Sequence, residues 1–191
     1  LSAADAPDNR SMKNESTRAG QMLVLGLGNL LNSDEGFGVH AVRALQADVA
    51  PRYPQAAFVD GGTLGLNLLP MVEEASHLLL VDCVNAGREP GSVIELAGED
   101  IPLYSGVKVS LHQTTFQEVL GLADIRGALP PHLHLIGVQP ASLAIGTDLS
   151  PEVSARVAEV AARVEELLKE WIERAGDGRD VGVDPSGNAQ R

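Results

Sequence analysis

Two carboxylates and an imidazole, Glu35, Asp82 and His112, are the side chains whose type and position best suit metal-assisted chemistry. Glu35 sits in Val24-Leu-Gly-Leu-Gly-Asn-Leu-Leu-Asn-Ser-Asp-Glu-Gly-Phe-Gly38, where an apolar strand runs into a glycine-punctuated loop. Asp82 ends the apolar run His77-Leu-Leu-Leu-Val-Asp82, and His112 opens a later helical segment. In open parallel sheets ligands bind beyond the carboxyl ends of the strands, near a topological switch point, so residues remote in sequence can meet along that edge. Such a donor set is borderline-hard, leaves coordination positions open, and suits nickel, zinc or a similar divalent ion. Each residue also has a plainer reading: Glu35 as a first-turn carboxylate satisfying backbone amides, Asp82 as a loop anchor, His112 as a helix-start residue.

The other polar candidates read as structural. Asp34 is expected to bond its own loop, and Asp60, before Gly61-Gly62, either supports the site from behind or shapes a turn. His132 and His134 share one face of a strand and could chelate a metal, but they stand at its start, opposite the ligand edge, where solvated polar groups are common. His40 and His77 read as a helix-surface and a strand-entry histidine. Cys83 adjoins Asp82, but alternation along a strand turns its thiol the other way, which favours a buried, inert group over a nucleophile. No serine lies in a nucleophile-elbow pattern.

The elements that must position these groups follow from periodicity. The continuous apolar run Met22–Gly28 reads as a strand covered on both faces, and Ala56–Asp60, His77–Val84, Ser92–Ala97 and His132–Val138 read as four further strands. Helices fall between them: one carries Val39, Val42, Leu45 and Val49 and is closed by Pro51 and Pro54. A second is capped by Thr63, carries Leu64, Leu68 and Met71, and is kinked or turned irregularly at Pro70; a third runs from about Thr114 to Ile125. Ser150-Pro151-Glu152 starts the last helix, whose stripe Val153, Val157, Val160, Val164, Leu167, Leu168 and Trp171 should pack on the sheet at about 1.5–3 kcal/mol per buried side chain before entropy is subtracted. The expected fold is an α/β three-layer sandwich: a mostly parallel five-stranded sheet with helices on both faces. The Asn85–Gly91 link is too short for a helical crossover and implies a hairpin, hence one antiparallel edge strand.

Length and composition set bounds. The 191 residues suit one domain, 21–175, between a disordered leader, 1–20, and a flexible polar tail, 176–191. A formal charge of -12 disfavours non-specific nucleic-acid binding. A single cysteine excludes an intramolecular disulfide and a thiolate-rich zinc site, which fits a reducing, cytoplasmic setting. No apolar run is long enough to span a bilayer and residues 1–20 lack a secretory signal, so no direct membrane insertion is expected.

The GxGN-x4-DEGxG pattern resembles the nickel-iron hydrogenase maturation endopeptidases. The resemblance extends from about Met22 to about Ala175 through Asp60-Gly-Gly-Thr-Leu-Gly65, the run to Asp82, Leu111-His-Gln-Thr-Thr-Phe-Gln-Glu-Val-Leu120 and Leu135-Ile-Gly-Val-Gln-Pro140. The His-Gln segment is similar to the branch serving membrane-bound uptake hydrogenases. The resemblance implies an endopeptidase that removes the C-terminal extension of a nickel-loaded hydrogenase large-subunit precursor. Glu35, Asp82 and His112 are then the metal-contacting and catalytic residues, and the nickel is brought by the precursor. Two other classes compete. A dinucleotide-binding enzyme fits poorly, because Leu31 stands where the fingerprint needs its third glycine and Asp34 and Glu35 would repel a pyrophosphate. A non-catalytic nickel-binding assembly chaperone would use the same three ligands, and only cleavage of a nickel-loaded precursor separates it from the peptidase.

Overall fold

The computed structural model describes residues 21–102 and 111–176, with 111–115 placed by backbone alone. Strand β1 (Met22–Leu27) is buried along its whole length, because it is flanked by strands on both sides and covered on both faces. A 3-10 turn at Ser33–Gly36 leads into helix α1 (Phe37–Asp48), which buries Phe37, Val39, Ala41, Val42 and Leu45. Strand β2 (Ala56–Gly62), helix α2 (Leu69–Glu74) and strand β3 (His77–Cys83) follow. Then come β4 (Val93–Ala97), α3 (Leu111–Ile125), β5 (His132–Val138), the short α4 (Pro151–Ser154) and the long α5 (Val157–Gly176).

The five strands form one sheet in the order β2-β1-β3-β5-β4, parallel except for the β4–β5 pair. From β1 the chain goes first to β2 on one side and then to β3 on the other, which makes the β1/β3 boundary the switch point. Two apolar cores flank the sheet. One gathers Val24, Leu79, Val81 and Cys83 under α1 and α5, with Leu167, Leu168 and Trp171. The other gathers Leu25, Leu78, Leu80 and Leu135 under α2 and α3, with Val72, Phe116 and Leu120. The expected three-layer sandwich with an antiparallel edge strand is the fold observed.

Several details differ from the sequence expectation. The edge strand β4 does not form a hairpin with β3, whose two edges are taken by β1 and β5; it pairs with β5. The Asn85–Gly91 link instead passes over the end of β5, held by Gly91 N–H to the Gln139 carbonyl at 2.8 Å and by the Gln139 side chain, which accepts from Ala86 and Arg88 N–H at 2.9 and 3.1 Å. Thr63 caps nothing: a 3-10 turn at Gly65–Leu68 precedes α2, and Pro70 lies in the first turn of α2, where its missing N–H costs no helical bond. Leu68 and Val72 face the core there, while Leu64 and Met71 remain exposed. Helix α3 begins at Leu111, earlier than its apolar period suggests. The terminal helix is broken in two after Ser154, and Ser150, at its start, donates its hydroxyl to Asp34 instead of capping the helix. Gly176 closes α5, and the expected leader and the rest of the tail lie outside the described residues. Among the described residues no helix is long and apolar enough to cross a membrane.

The chain after α1 is fastened to α5 by a polar cluster. Glu165 accepts from Arg52 Nη2 and from the Tyr53 hydroxyl, each at 3.0 Å, and pairs with Lys169 Nζ at 3.0 Å. These bonds, that from Arg52 foremost, then Lys169 and Tyr53, hold the Glu165 carboxyl down from its ordinary 4.5 to about 2. A depressed carboxylate stabilises the fold fully above its unfolded value and loses that contribution as pH falls through the folded one. Glu165→Gln should therefore melt below wild type at neutral pH, and the gap in Tm should close between about pH 4.5 and about pH 2. Parallel melting curves across that range would remove the cluster from the stability account.

Candidate active site

The loop after β1 is laid back onto the strand ends, and two glycines make this possible. At Gly28, where φ is +133°, an added Cβ would stand 1.9 Å from the Glu35 carbonyl oxygen, so the backbone of Glu35 rests directly on Gly28. At Gly38 a Cβ would stand 2.1 Å from the Val81 carbonyl and 2.4 Å from that of Leu27, so α1 starts in contact with the backbones of β1 and β3. Any larger side chain would lift the turn off the sheet. Asn29 shapes the exit from β1, its Oδ1 accepting from Leu31 N–H at 3.0 Å and its Nδ2 donating to Asn32 Oδ1 at 2.9 Å. The result places Glu35, 6% exposed, above the carboxyl end of β1 in a turn that touches β3.

Asp82, 1% exposed, is the penultimate residue of β3, the strand beside β1. Its Oδ1 accepts from the Cys83 N–H at 2.7 Å. The side chain lies on the α3 side of the sheet, at a cleft with Leu27, Leu80, Val84, Phe116 and Gln117. His112 belongs to the first turn of α3, one helical turn before Phe116 and so on the same face, but its side chain lies outside the described residues. The structure thus brings Glu35 and Asp82 to adjacent strand ends at the switch point and places the backbone of His112 on the helix that roofs the Asp82 cleft.

Negative charge is concentrated here. The Cys83 thiol is 2% exposed; burial raises its pKa most, and the nearby carboxylates Asp82, Asp34 and Glu35 raise it further. A thiol so disfavoured as thiolate is no nucleophile, and Cys83 packs in the core under α1 and α5 while Asp82 faces the other way. Carboxylates gathered at one strand end favour a cation, and oxygen donors of this kind fit a divalent metal.

Asp34 has a different role from the one its sequence position suggests. It is fully buried and bonds a remote loop, not its own: Oδ2 accepts from Ala141 N–H, Ser142 N–H and the Ser150 hydroxyl at 2.9, 2.8 and 2.9 Å, and Oδ1 from Ser150 N–H at 2.6 Å. Main-chain bonds extend the seam, from Ser33 N–H to the Gly146 carbonyl at 2.8 Å and from Gly146 N–H to the Leu31 carbonyl at 3.0 Å. Nothing in the local sequence signals a partnership across more than a hundred residues. Asp60 is gripped by Arg43 of α1, with Nε at 3.1 Å and Nη2 at 2.8 Å, instead of turning its own loop.

The remaining histidines are not ligands of a common site. His77 is buried and stacks on His132 at 4.2 Å between ring centroids, with Trp171 of α5 against it at 4.9 Å. His134 Nε2 lies 2.7 Å from Glu95, which Arg163 also holds. The expected solvated face at the start of β5 is therefore roofed by α5. His40 is half-buried on α1. Among the described residues no group of three or more His, Cys, Asp or Glu side chains is gathered to hold a metal.

A mostly parallel α/β domain with carboxylates at its switch point is an architecture shared by many enzymes, and comparison with known proteins narrows it to one group. A family model described as hydrogenase maturation protease matches residues 39–167, a span that includes Asp82 and His112 and begins just after Glu35. The chain is 39% identical over 171 residues to the hydrogenase expression/formation protein HupD of Rhodobacter capsulatus, covering 87% of this chain and 81% of the relative. It is 36% identical over 152 residues to the hydrogenase 2 maturation protease of Escherichia coli K12, covering 78% and 92%. Among solved structures, the hydrogenase maturating endopeptidase HybD from E. coli matches with a TM-score of 0.71 at 33% identity, covering 78% of this chain and 93% of that one. The [NiFe] hydrogenase maturation protease HybD from Thermococcus kodakarensis matches with a TM-score of 0.65 at 26% identity, covering 78% and 99%. The chain belongs to the hydrogenase maturation protease family. Similarity to HupD and to HoxM of Cupriavidus necator fits the branch indicated by the His112 segment.

Because Asp34 fixes the turn that carries Glu35, Asp34→Ala would orphan buried N–H groups of Ala141, Ser142 and Ser150. The expected loss is about 3–5 kcal/mol of unfolding free energy, read from urea denaturation. A loss below about 1 kcal/mol, the range of an ordinary surface ion pair, would show that the loop does not depend on this carboxylate.

Proposed function

We propose that this protein is the endopeptidase that clips the C-terminal extension from a nickel-loaded [NiFe]-hydrogenase large-subunit precursor, and that Glu35, Asp82 and His112 are its working residues. Membership of the maturation protease family supports the peptidase reading. The single observation that carries the site is the pair of buried carboxylates, Glu35 and Asp82, at adjacent strand ends of the β1/β3 switch point. Nickel belongs to the substrate in this reading: the precursor presents it, and the two carboxylates with the imidazole engage it from the enzyme side, bringing the scissile bond into register. One of the carboxylates accepts a proton from the attacking water. The water oxygen bonds to the peptide carbonyl carbon, the C–N bond breaks, and the released amine takes up a proton.

Two carboxylates and one neutral imidazole hold nickel weakly by themselves, whereas donors on the precursor complete its coordination, so cleavage should require metal in the partner. The setting is the cytoplasm, where a newly made precursor is met. Purified enzyme is mixed with precursor carrying or lacking nickel, and loss of the extension is followed by mass. Wild type should cleave the loaded form, and Ala substitutions at Glu35, Asp82 or His112 should each abolish cleavage with the melting temperature largely kept. Equal cleavage of the unloaded precursor would remove the nickel checkpoint, wild-type rates in all three variants would remove the site, and stoichiometric binding without any cleavage would favour the chaperone.

A further inference from the structure

The cleft beside Asp82 contains one polar side chain that the proposed chemistry leaves unused. Gln117 of α3 is 7% exposed and lines this cleft with Asp82, among walls built from Leu27, Leu80, Val84 and Phe116. The cleft has a cavity volume of about 40 Å³, several times the roughly 10–15 Å³ that one water needs, and it opens to solvent. Among the described residues no hydrogen bond from the Gln117 amide is seen, and the amide is not one of the fully enclosed polar groups left without a partner, so it stays open to solvent at the cleft. Gln139, the other buried glutamine, shows the contrast: its side chain is used up holding Asn85, Ala86 and Arg88.

We propose that Gln117 binds the substrate's main chain, and that the aliphatic cleft takes an apolar side chain next to the bond that is cut. A primary amide offers a donor and an acceptor side by side, the complement of one extended peptide unit, whereas neither carboxylate of the site can donate when ionised. Phe116 and Leu120 share a face of α3 with His112 one and two turns back, and Gln117 borders that face, so a peptide gripped by Gln117 lies against the helix that carries the imidazole and beside Asp82. The occupant is thus an extended segment of the precursor, and the inference rests on the processing role proposed above. Gln117 is a positioning residue: it fixes the peptide and takes no part in proton transfer.

The test uses the full chain, the nickel-loaded precursor for kinetics, and a synthetic peptide spanning the precursor's C-terminal extension and the segment before it for binding. Gln117→Met keeps the length of the side chain and removes the amide. It should raise KM for the precursor and weaken the peptide's Kd, each about tenfold, with kcat and Tm nearly unchanged, as expected when one substrate hydrogen bond is lost. Gln117→Asn, which retains the amide on a shorter arm, should fall between the two. Unchanged KM and peptide affinity in Gln117→Met would overturn the inference, and so would a loss of activity that merely follows a fall in Tm. A wild-type protein that binds the peptide but leaves the precursor intact would refute the processing role, and the peptide affinities would still decide the part played by Gln117.

Discussion

The structure turns on one buried carboxylate. Asp34 is fully enclosed and satisfied by three backbone N–H groups and a hydroxyl from the chain that leaves β5. A carboxyl group enclosed in that position is tolerable because four hydrogen bonds meet it, and the same bonds tie the turn at Ser33–Gly36 to residues 141–150. Glu35 is the next residue, so its location above β1 is set in large part by a neighbour's bonds. The site inherits its rigidity from a structural group one position away.

Backbone proximity gives the second constraint. Gly28 and Gly38 let the loop and the start of α1 come into contact with the backbones of β1 and β3, closer than any side chain would permit. Glu35 and Asp82 then share one small region without either being drawn out of its element, and their combined field is felt by the Cys83 thiol on the opposite face. Carboxylates kept close in a poorly solvated place repel one another, and a cation relieves that repulsion. A precursor presenting nickel supplies such a cation in the proposed reaction, so the arrangement doubles as a reason for the substrate to be loaded first.

The two faces of the sheet divide the work. Under α1 and α5 lies a continuous aliphatic core with the stacked His77, His132 and Trp171 at its far end, which serves packing alone. Under α2 and α3 the core opens toward the carboxyl ends of the strands into the cleft of Asp82 and Gln117. Strand alternation makes this division: consecutive residues Asp82 and Cys83 project to opposite faces, so one meets the cleft and the other the closed core.

Much was legible in the sequence, and the physical reason is locality. Continuous apolar runs marked five strands, the 3.6-residue stripe marked the last helix, and glycines flanking a carboxylate marked the loop after β1, because each signal is written within a few consecutive residues. The family resemblance, carried by the blocks around Glu35, Asp82 and His112, pointed to the right class of enzyme. Tertiary structure decided what depends on residues far apart in the chain. The short Asn85–Gly91 link predicts a hairpin of β4 with β3, but β5, from much later in the chain, takes that edge and pairs with β4 on its other side. Local sequence predicts that Asp34 bonds its own loop and that Ser150 caps a helix, but the two satisfy each other across the molecule. Hydrogen-bond partners of buried polar groups are chosen by whichever donors the packed fold delivers, and no local pattern records that choice.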